Sequence, residues 1–147
     1  MNIRELLLPE LITLDLKARR REEALQELAA LLASAGVVTD REAYLQAVRD
    51  REALGSTAVG FGIAIPHARS RAVRRAAVAF GRSVQGIHWE GQGGEPVRAV
   101  FLIAAPEGAD DLHLRALAHL ARMLMHEEVR QKLLSASGPD EVLEALG

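Results

Sequence analysis

Residues 97–104, VRAVFLIA, form the most continuous apolar run in this 147-residue chain. A run of that length, interrupted only by Arg98, reads as a strand buried inside a sheet rather than at its rim. A buried strand needs cover on its faces, so the remaining chain must supply helices with an apolar side.

Those helices are visible in the spacing. Over residues 17–35, Ala24, Leu25, Leu28, Leu31 and Leu32 recur at helical intervals, and Gly36 suits a terminating position. The Arg19-Arg20-Arg21 run is followed at once by Glu22 and Glu23, which fits a solvated first turn. Thr39-Asp40-Arg41-Glu42 has the form of a capping box, with Thr39 as cap and Glu42 reaching back. It predicts a helix from about Asp40 to Glu52 that buries Tyr44, Leu45 and Val48. That helix puts Arg51 on its last turn, where Leu54-Gly55-Ser56-Thr57 breaks the pattern. From 112 to 125, Ala116, Leu117, Leu120 and Leu124 lie within about 60° of His113 on a helical wheel, while Arg115, His119, Arg122 and His126 fall opposite. Residues 127–135 and 139–146 close the chain as two more helices, with Pro139 near a first helical position.

The strand signals are shorter. ITLDL, 12–16, alternates after an opening turn; Ile63-Ala64-Ile65 is a brief apolar run stopped by Pro66; AAVAFGRS is a strand around Val78 and Phe80. Gly81 and Gly86 are expected to bracket a turn before a short extended piece at Ile87-His88-Trp89, and residues 91–96 and 105–111 are expected to be loops. The short spacing between 78 and 104 argues for antiparallel pairing within the sheet. The expected fold class is therefore α/β, a mixed and partly antiparallel sheet flanked by helices, in a single domain spanning residues 1–147.

Composition excludes several functions. The formal net charge of −2 offers no general attraction to nucleic acid or to an anionic membrane, so charge recognition must be local. Lys17 and Lys132 are the two lysines among 18 basic residues, which leaves 16 arginines, the better forks for phosphate. The absence of cysteine removes disulfides, thiolate metal sites and cysteine nucleophiles. No apolar run is long enough to insert into a bilayer, and MNIRELLLPE lacks a signal-peptide core, so a cytoplasmic location is expected. There is no GxxxxGK[ST] and no GxSxG; Gly60-Phe61-Gly62 lacks the third glycine of a dinucleotide fingerprint, and His126-Glu127-Glu128-Val129-Arg130 falls short of HExxH.

What remains is the stretch 51–68, REALGSTAVGFGIAIPHA. Pro66 cannot donate to a ladder, so His67 falls where a buried strand surfaces. His113 opens the helix after the central strand and points toward the same end of the sheet. A neutral imidazole can accept a phosphoryl group on one ring nitrogen while a hydrogen bond holds the other. Such transfer needs position and positive charge, which Arg51 supplies; Ser56 and Thr57 add hydroxyls, and Gly60 and Gly62 let backbone N–H groups approach an anion. A metal site with His88 or a carboxylate as third ligand is the alternative chemistry for a histidine pair.

REALGSTAVGFGIAIPHA resembles the active-site signature of the EIIA domains of the bacterial phosphoenolpyruvate-dependent phosphotransferase system, type 2, the fructose, mannitol and nitrogen-regulatory class. GIAIPHA is its most specific piece. HLRALAHLARML resembles the family's second histidine block, and VRAVFLIAAPEG its central strand and following loop, so the likeness covers nearly the whole chain. The resemblance implies a phosphotransferase component without metal or cofactor. His67 would accept a phosphoryl group on its tele nitrogen from the histidine phosphocarrier protein HPr or a paralogue. Arg51 would stabilise the phosphoryl charge, His113 would orient His67 or the phosphate, and Thr57 and Gly62 would shape the pocket. Ile63 and Ile65 would contribute to an apolar docking face. Onward partners would be an EIIB domain or a regulatory target, with neither nucleic acid nor membrane insertion involved. A nitrogen-regulatory role is the leading expectation; a sugar-specific EIIA donating to EIIB is the alternative, and a binding module without transfer activity the third reading.

Overall fold

The computed structural model describes residues 2–91, 94–108 and 111–147. Parts of the two loops expected at 91–96 and 105–111, namely 92, 93, 109 and 110, lie outside the described residues. The chain opens with two 3₁₀ turns, Ile3–Glu5 and Pro9–Leu11, and then runs β1 (Ile12–Thr13), α1 (Arg21–Ser34), α2 (Arg41–Ala53), β2 (Ala58–Gly60), β3 (Ile63–Ala64), β4 (His67–Ser70), β5 (Ala77–Ile87), β6 (Val97–Pro106), α3 (Leu112–Met123), α4 (Glu127–Ser135) and α5 (Pro139–Leu146).

The apolar run that dominates the sequence becomes β6, the central strand of a mixed sheet ordered β1-β5-β6-β3-β2, with β4 also pairing to β6. β5 lies antiparallel to β6, with Phe80 opposite Phe101 and their rings 4.7 Å apart. On the other side β3 and β4 follow one another along β6, both parallel to it, with Ile63 opposite Ala99 and His67 opposite Ile103. The period-2 alternation of β6 divides the core. Val100, Leu102 and Ala104 pack with Leu25, Leu28, Leu32, Tyr44, Leu45 and Val48 of α1 and α2. Ala99, Phe101 and Ile103 pack with Ala116 and Leu120 of α3, Val129 and Leu133 of α4, and Val142 and Leu146 of α5. The result is three layers, helices over both faces of one sheet.

Several local expectations are corrected. α1 starts at Arg21 rather than Lys17, because Glu27 accepts the backbone N–H groups of Lys17 and Ala18, and Glu23 those of Arg19 and Arg20. These bonds hold 17–20 extended beside His88. The cap of α2 is Asp40, whose carboxylate accepts from the Ala43 N–H at 3.1 Å; the Thr39 hydroxyl donates instead to the Ala72 carbonyl. Gly81 and Gly86 do not bracket a turn: β5 runs through both to Ile87. Gly81 is there for space, since a Cβ on it would stand 2.6 Å from Leu16 Cδ1, and Gly86, at φ +92°, lies within a register shift of the ladder. The glycine-punctuated stretch before Ile63 contains a strand, β2 (Ala58–Gly60), joined to β3 by a tight turn at Phe61 and Gly62 with φ of 58° and 76°. His67 opens a strand of its own rather than ending one.

Arg82 ties the layers together. Its Nη1 donates to the carbonyls of Leu133, Leu134 and Ala136 at the end of α4, at 3.1, 3.2 and 2.6 Å, and its Nε to the Leu14 carbonyl at 3.2 Å. A guanidinium at a helix C-terminus satisfies carbonyls that have no partner inside the helix. Arg82→Ala is expected to lower the unfolding free energy by about 3 kcal/mol, because it strands several part-buried acceptors at once. Urea unfolding with an unchanged slope but a lower midpoint would be the signature; an unchanged midpoint would show that water replaces the guanidinium without loss.

Candidate functional site

The site forms where β4 leaves the centre of the sheet. Alternation along β4 sends Ala68 toward α2, while His67 and Arg69 share the face of Ile103, toward α3. The cleft that opens there has a volume of about 480 Å³ and is lined by Ala47, Arg51, His67, Ala68, Arg69, Glu107, His113 and Leu114. It thus draws on α2, β4, the loop after β6 and the first turn of α3.

His67 is buried, and its Nδ1 lies 2.9 Å from the Ile65 carbonyl. A carbonyl oxygen only accepts, so Nδ1 carries a proton, and in the singly protonated ring the lone pair is on Nε2. Among the described residues no hydrogen-bond partner reaches Nε2. The His113 ring stands beside it, centroid to centroid 6.4 Å and inclined by 41°. His113 is half-buried rather than on the core stripe, and its Nδ1 is enclosed without a partner among the described residues. Arg51 reaches the cleft from the last turn of α2, with Nη1 donating to the Gly55 carbonyl at 3.0 Å. Two guanidinium groups therefore face one imidazole pair, while Glu107 in the same lining is paired with Arg71 at 3.3 Å.

Burial, followed by the charges of Arg69 and His67, holds the His113 pKa below its ordinary 6.5, and Asp111 pulls the other way. The neutral ring is thus the form the fold favours. The unfolded chain takes up this proton near 6.5 and the folded one only at lower pH, so the contribution of His113 to stability is intact above 6.5 and is lost as pH falls below it. Arg69→Gln is expected to move the His113 midpoint up toward 6.5 without reaching it, since burial is the larger cause. An NMR titration of the His113 ring checks this, and an unmoved midpoint would put the Arg69 charge out of reach of the ring.

The sequence-predicted site residues separate into two groups. His67, His113 and Arg51 come together in the cleft. Thr57 and Gly62 are not in its lining. Thr57 is buried, and its hydroxyl donates to Glu52. Gly62 sits in the β2–β3 turn against the backbone of Pro96 and Arg98, where its positive φ and a carbonyl 3.3 Å from any added Cβ favour glycine. Ser56 accepts from the Ala58 N–H, so its hydroxyl is used within the loop. Ile63 and Ile65, expected on an exposed apolar face, are buried in the α3–α5 side of the core, where they pack in one cluster with Ala99, Phe101 and Ile103. The exposed apolar side chain of the cleft is Leu114, with Leu54 exposed just beyond Arg51. His88 is exposed beside Arg20, and among the described residues no three His, Cys, Asp or Glu side chains are grouped to hold a metal. His119, expected on the solvated face, is half-buried with Nε2 enclosed. Arg69 and Glu107 were not singled out by the sequence. Arg69 is hidden among the arginines of 69–75, and only the two-residue alternation from His67 along a strand distinguishes it.

A family model described as the phosphoenolpyruvate-dependent sugar phosphotransferase system EIIA 2 matches residues 5–147. The chain belongs to this family. It is 42% identical over 146 residues to the fructose-specific EIIABC component of Bacillus subtilis, covering 99% of this chain and 23% of that longer protein. It is 39% identical to the nitrogen regulatory protein of Bradyrhizobium diazoefficiens, over 99% of this chain and 95% of the relative. Among solved structures, the nitrogen regulatory protein IIA-Ntr of Neisseria meningitidis superimposes with a TM-score of 0.85 at 31% identity, covering 99% of both chains. The enzyme IIA of the Escherichia coli mannitol system, in complex with phosphorylated enzyme IIB, does so with a TM-score of 0.82 at 32% identity, over 96% of this chain and 98% of that one. The chain is thus an EIIA type-2 phosphotransfer component, with the α/β fold of that family. Among the described residues no helix is long and apolar enough to cross a membrane.

Proposed function

We propose that His67 is the phosphoryl acceptor of this EIIA domain and that it reacts through Nε2. The carrying observation is the 2.9 Å contact between Nδ1 and the Ile65 carbonyl, which selects Nε2 as the nucleophilic nitrogen whenever the ring carries one proton. The donor is a phosphohistidine on a partner protein, the histidine phosphocarrier HPr or a paralogue. The Nε2 lone pair attacks phosphorus, a new N–P bond forms, and the donor's N–P bond breaks with its electron pair returning to the donor imidazole. The proton on Nδ1 of His67 stays there throughout, hydrogen-bonded to the Ile65 carbonyl, so no general base is required. Arg51 and Arg69 supply positive charge to the phosphoryl oxygens, whose charge is spread in a loose transition state. His113, held neutral, orients the imidazole or the phosphate without adding a competing proton.

The nitrogen-regulatory reading draws support from the TM-score of 0.85 across 99% of both chains with IIA-Ntr. In it, the phosphorylation state of His67 is read by a regulatory target. The sugar-specific reading draws support from the 42% identity to a fructose-specific component, and in it the phosphoryl group passes to an EIIB domain. Incubation with labelled phosphoenolpyruvate, enzyme I and HPr tests the shared step, and addition of an EIIB domain separates the two uses. Acid-labile label that remains on the chain in the presence of EIIB supports the regulatory reading, and label that discharges to EIIB supports the sugar-specific one. No acid-labile label would overturn the phosphocarrier reading itself.

A further inference from the structure

The last turn of α2 sends two neighbouring charged side chains in different directions: Arg51 goes to the cleft and Glu52 into the protein. The Glu52 side chain is 2% exposed. It accepts the Thr57 hydroxyl at Oε1 and the Thr57 N–H at Oε2, the latter at 3.4 Å, and Oε2 stands 3.8 Å from Arg21 Nη1. Arg21 is paired in turn with Glu90 at 2.6 Å. The path continues along the backbone. The Thr57 carbonyl accepts the Ile65 N–H at 3.0 Å, and the Ile65 carbonyl accepts Nδ1–H of His67 at 2.9 Å. A buried carboxylate is thereby linked, through a two-point grip on Thr57 and the backbone N–H and carbonyl of Ile65, to the ring nitrogen opposite the one that reacts.

We infer that Glu52 is a positioning residue for His67. By holding Thr57 at both its N–H and its hydroxyl, it fixes the residue whose carbonyl anchors the Ile65 N–H, and so steadies the Ile65 carbonyl that faces Nδ1. That carbonyl selects the Nδ1–H tautomer and sets the plane of the ring. Its importance for phosphoryl transfer rests on the phosphocarrier reading, whereas the tautomer it selects does not. A loop anchor with no bearing on the imidazole would cost stability when removed and leave the tautomer alone, so the tautomer separates the two roles.

The test uses the full unphosphorylated chain and long-range ¹H–¹⁵N correlation of the His67 ring. Wild type is expected to show one tautomer, protonated on Nδ1. Glu52→Gln, which retains only one accepting oxygen, and Thr57→Val, which removes the hydroxyl at nearly constant volume, are both expected to populate the Nε2–H form. Thr57→Ser, which keeps both donors, is expected to restore the wild-type spectrum. Arg82→Ala serves as a variant that loosens the fold away from this path and is expected to leave the tautomer unchanged. In single-turnover transfer from phospho-HPr, Glu52→Gln is expected to slow the reaction by about 10- to 100-fold, the range in which a misplaced reacting group costs rate. A single Nδ1–H tautomer in both Glu52→Gln and Thr57→Val would overturn the inference. So would an equal redistribution in Arg82→Ala. Failure of wild type to accept phosphoryl groups would instead remove the phosphocarrier reading, and the tautomer spectra would still decide the role of Glu52.

Discussion

Replacing His67 by alanine is expected to abolish phosphorylation of the chain, with no residual acid-labile label after incubation with phosphoenolpyruvate, enzyme I and HPr. The loss is expected to be complete rather than graded because the substitution removes the proposed nucleophile itself. His113 is the nearest imidazole, but its Nδ1 is enclosed by protein. The fold should survive, since the substitution removes one side-chain hydrogen bond to a carbonyl, worth about 1 kcal/mol. Far-UV dichroism and the thermal midpoint of the variant serve as that control. Label that persists in a folded His67→Ala protein would move the acceptor elsewhere. In wild type, phosphorylation should shift the Nε2 resonance of His67 and leave Nδ1 bound to its proton; phosphate on Nδ1 would require the Ile65 contact to break.

Arg51→Ala is expected to slow single-turnover phosphoryl transfer by about 10²- to 10³-fold, the range seen when one preorganised donor to a developing negative charge is removed. Arg51 is half-exposed at a helix end and, among the described residues, makes one hydrogen bond, to the Gly55 carbonyl, so stability should change little. Arg51→Lys is informative because lysine keeps the charge and loses the planar fork. Partial recovery would assign most of the effect to charge, and none would assign it to two-point geometry. A rate unchanged in Arg51→Ala would mean that Arg69 alone carries the positive charge of the cleft.

The elements legible in the sequence are those whose periodicity is set by burial. Residues 97–104 read as central because nearly every side chain meets a helical layer, though the strand runs on to Pro106, and α1, α2 and α3 read as helices because one stripe of each does. β4 did not, because HARS carries no apolar alternation; its strand geometry comes from the parallel ladder offered by β6. β2 was hidden because it is three residues long, Ala58-Val59-Gly60, and ends in glycine, and the continuity of β5 was masked by Gly81, whose purpose is to make room for Leu16. At the site, His67, Arg51 and His113 were nominated by motif and by position in their elements. Thr57 and Glu52 required coordinates, since a hydroxyl in a glycine-rich loop looks the same whether it faces a ligand or a buried carboxylate. Arg69 required the strand as well, because alternation separates it from Arg71 only once β4 is known to be extended.

The cleft takes Arg51 from the helical layer on one side of the sheet, His113 from the layer on the other, and His67 and Arg69 from the strand between them. Loosening either layer therefore takes one partner away from His67, Arg51 in the one case and His113 in the other. Chemistry at this site is a reporter of cooperativity. As denaturant is raised, phosphoryl acceptance should disappear together with the α1–α2 and α3–α5 layers rather than with either one first, and a partly unfolded species in which only one layer has melted would be silent toward its phosphoryl donor.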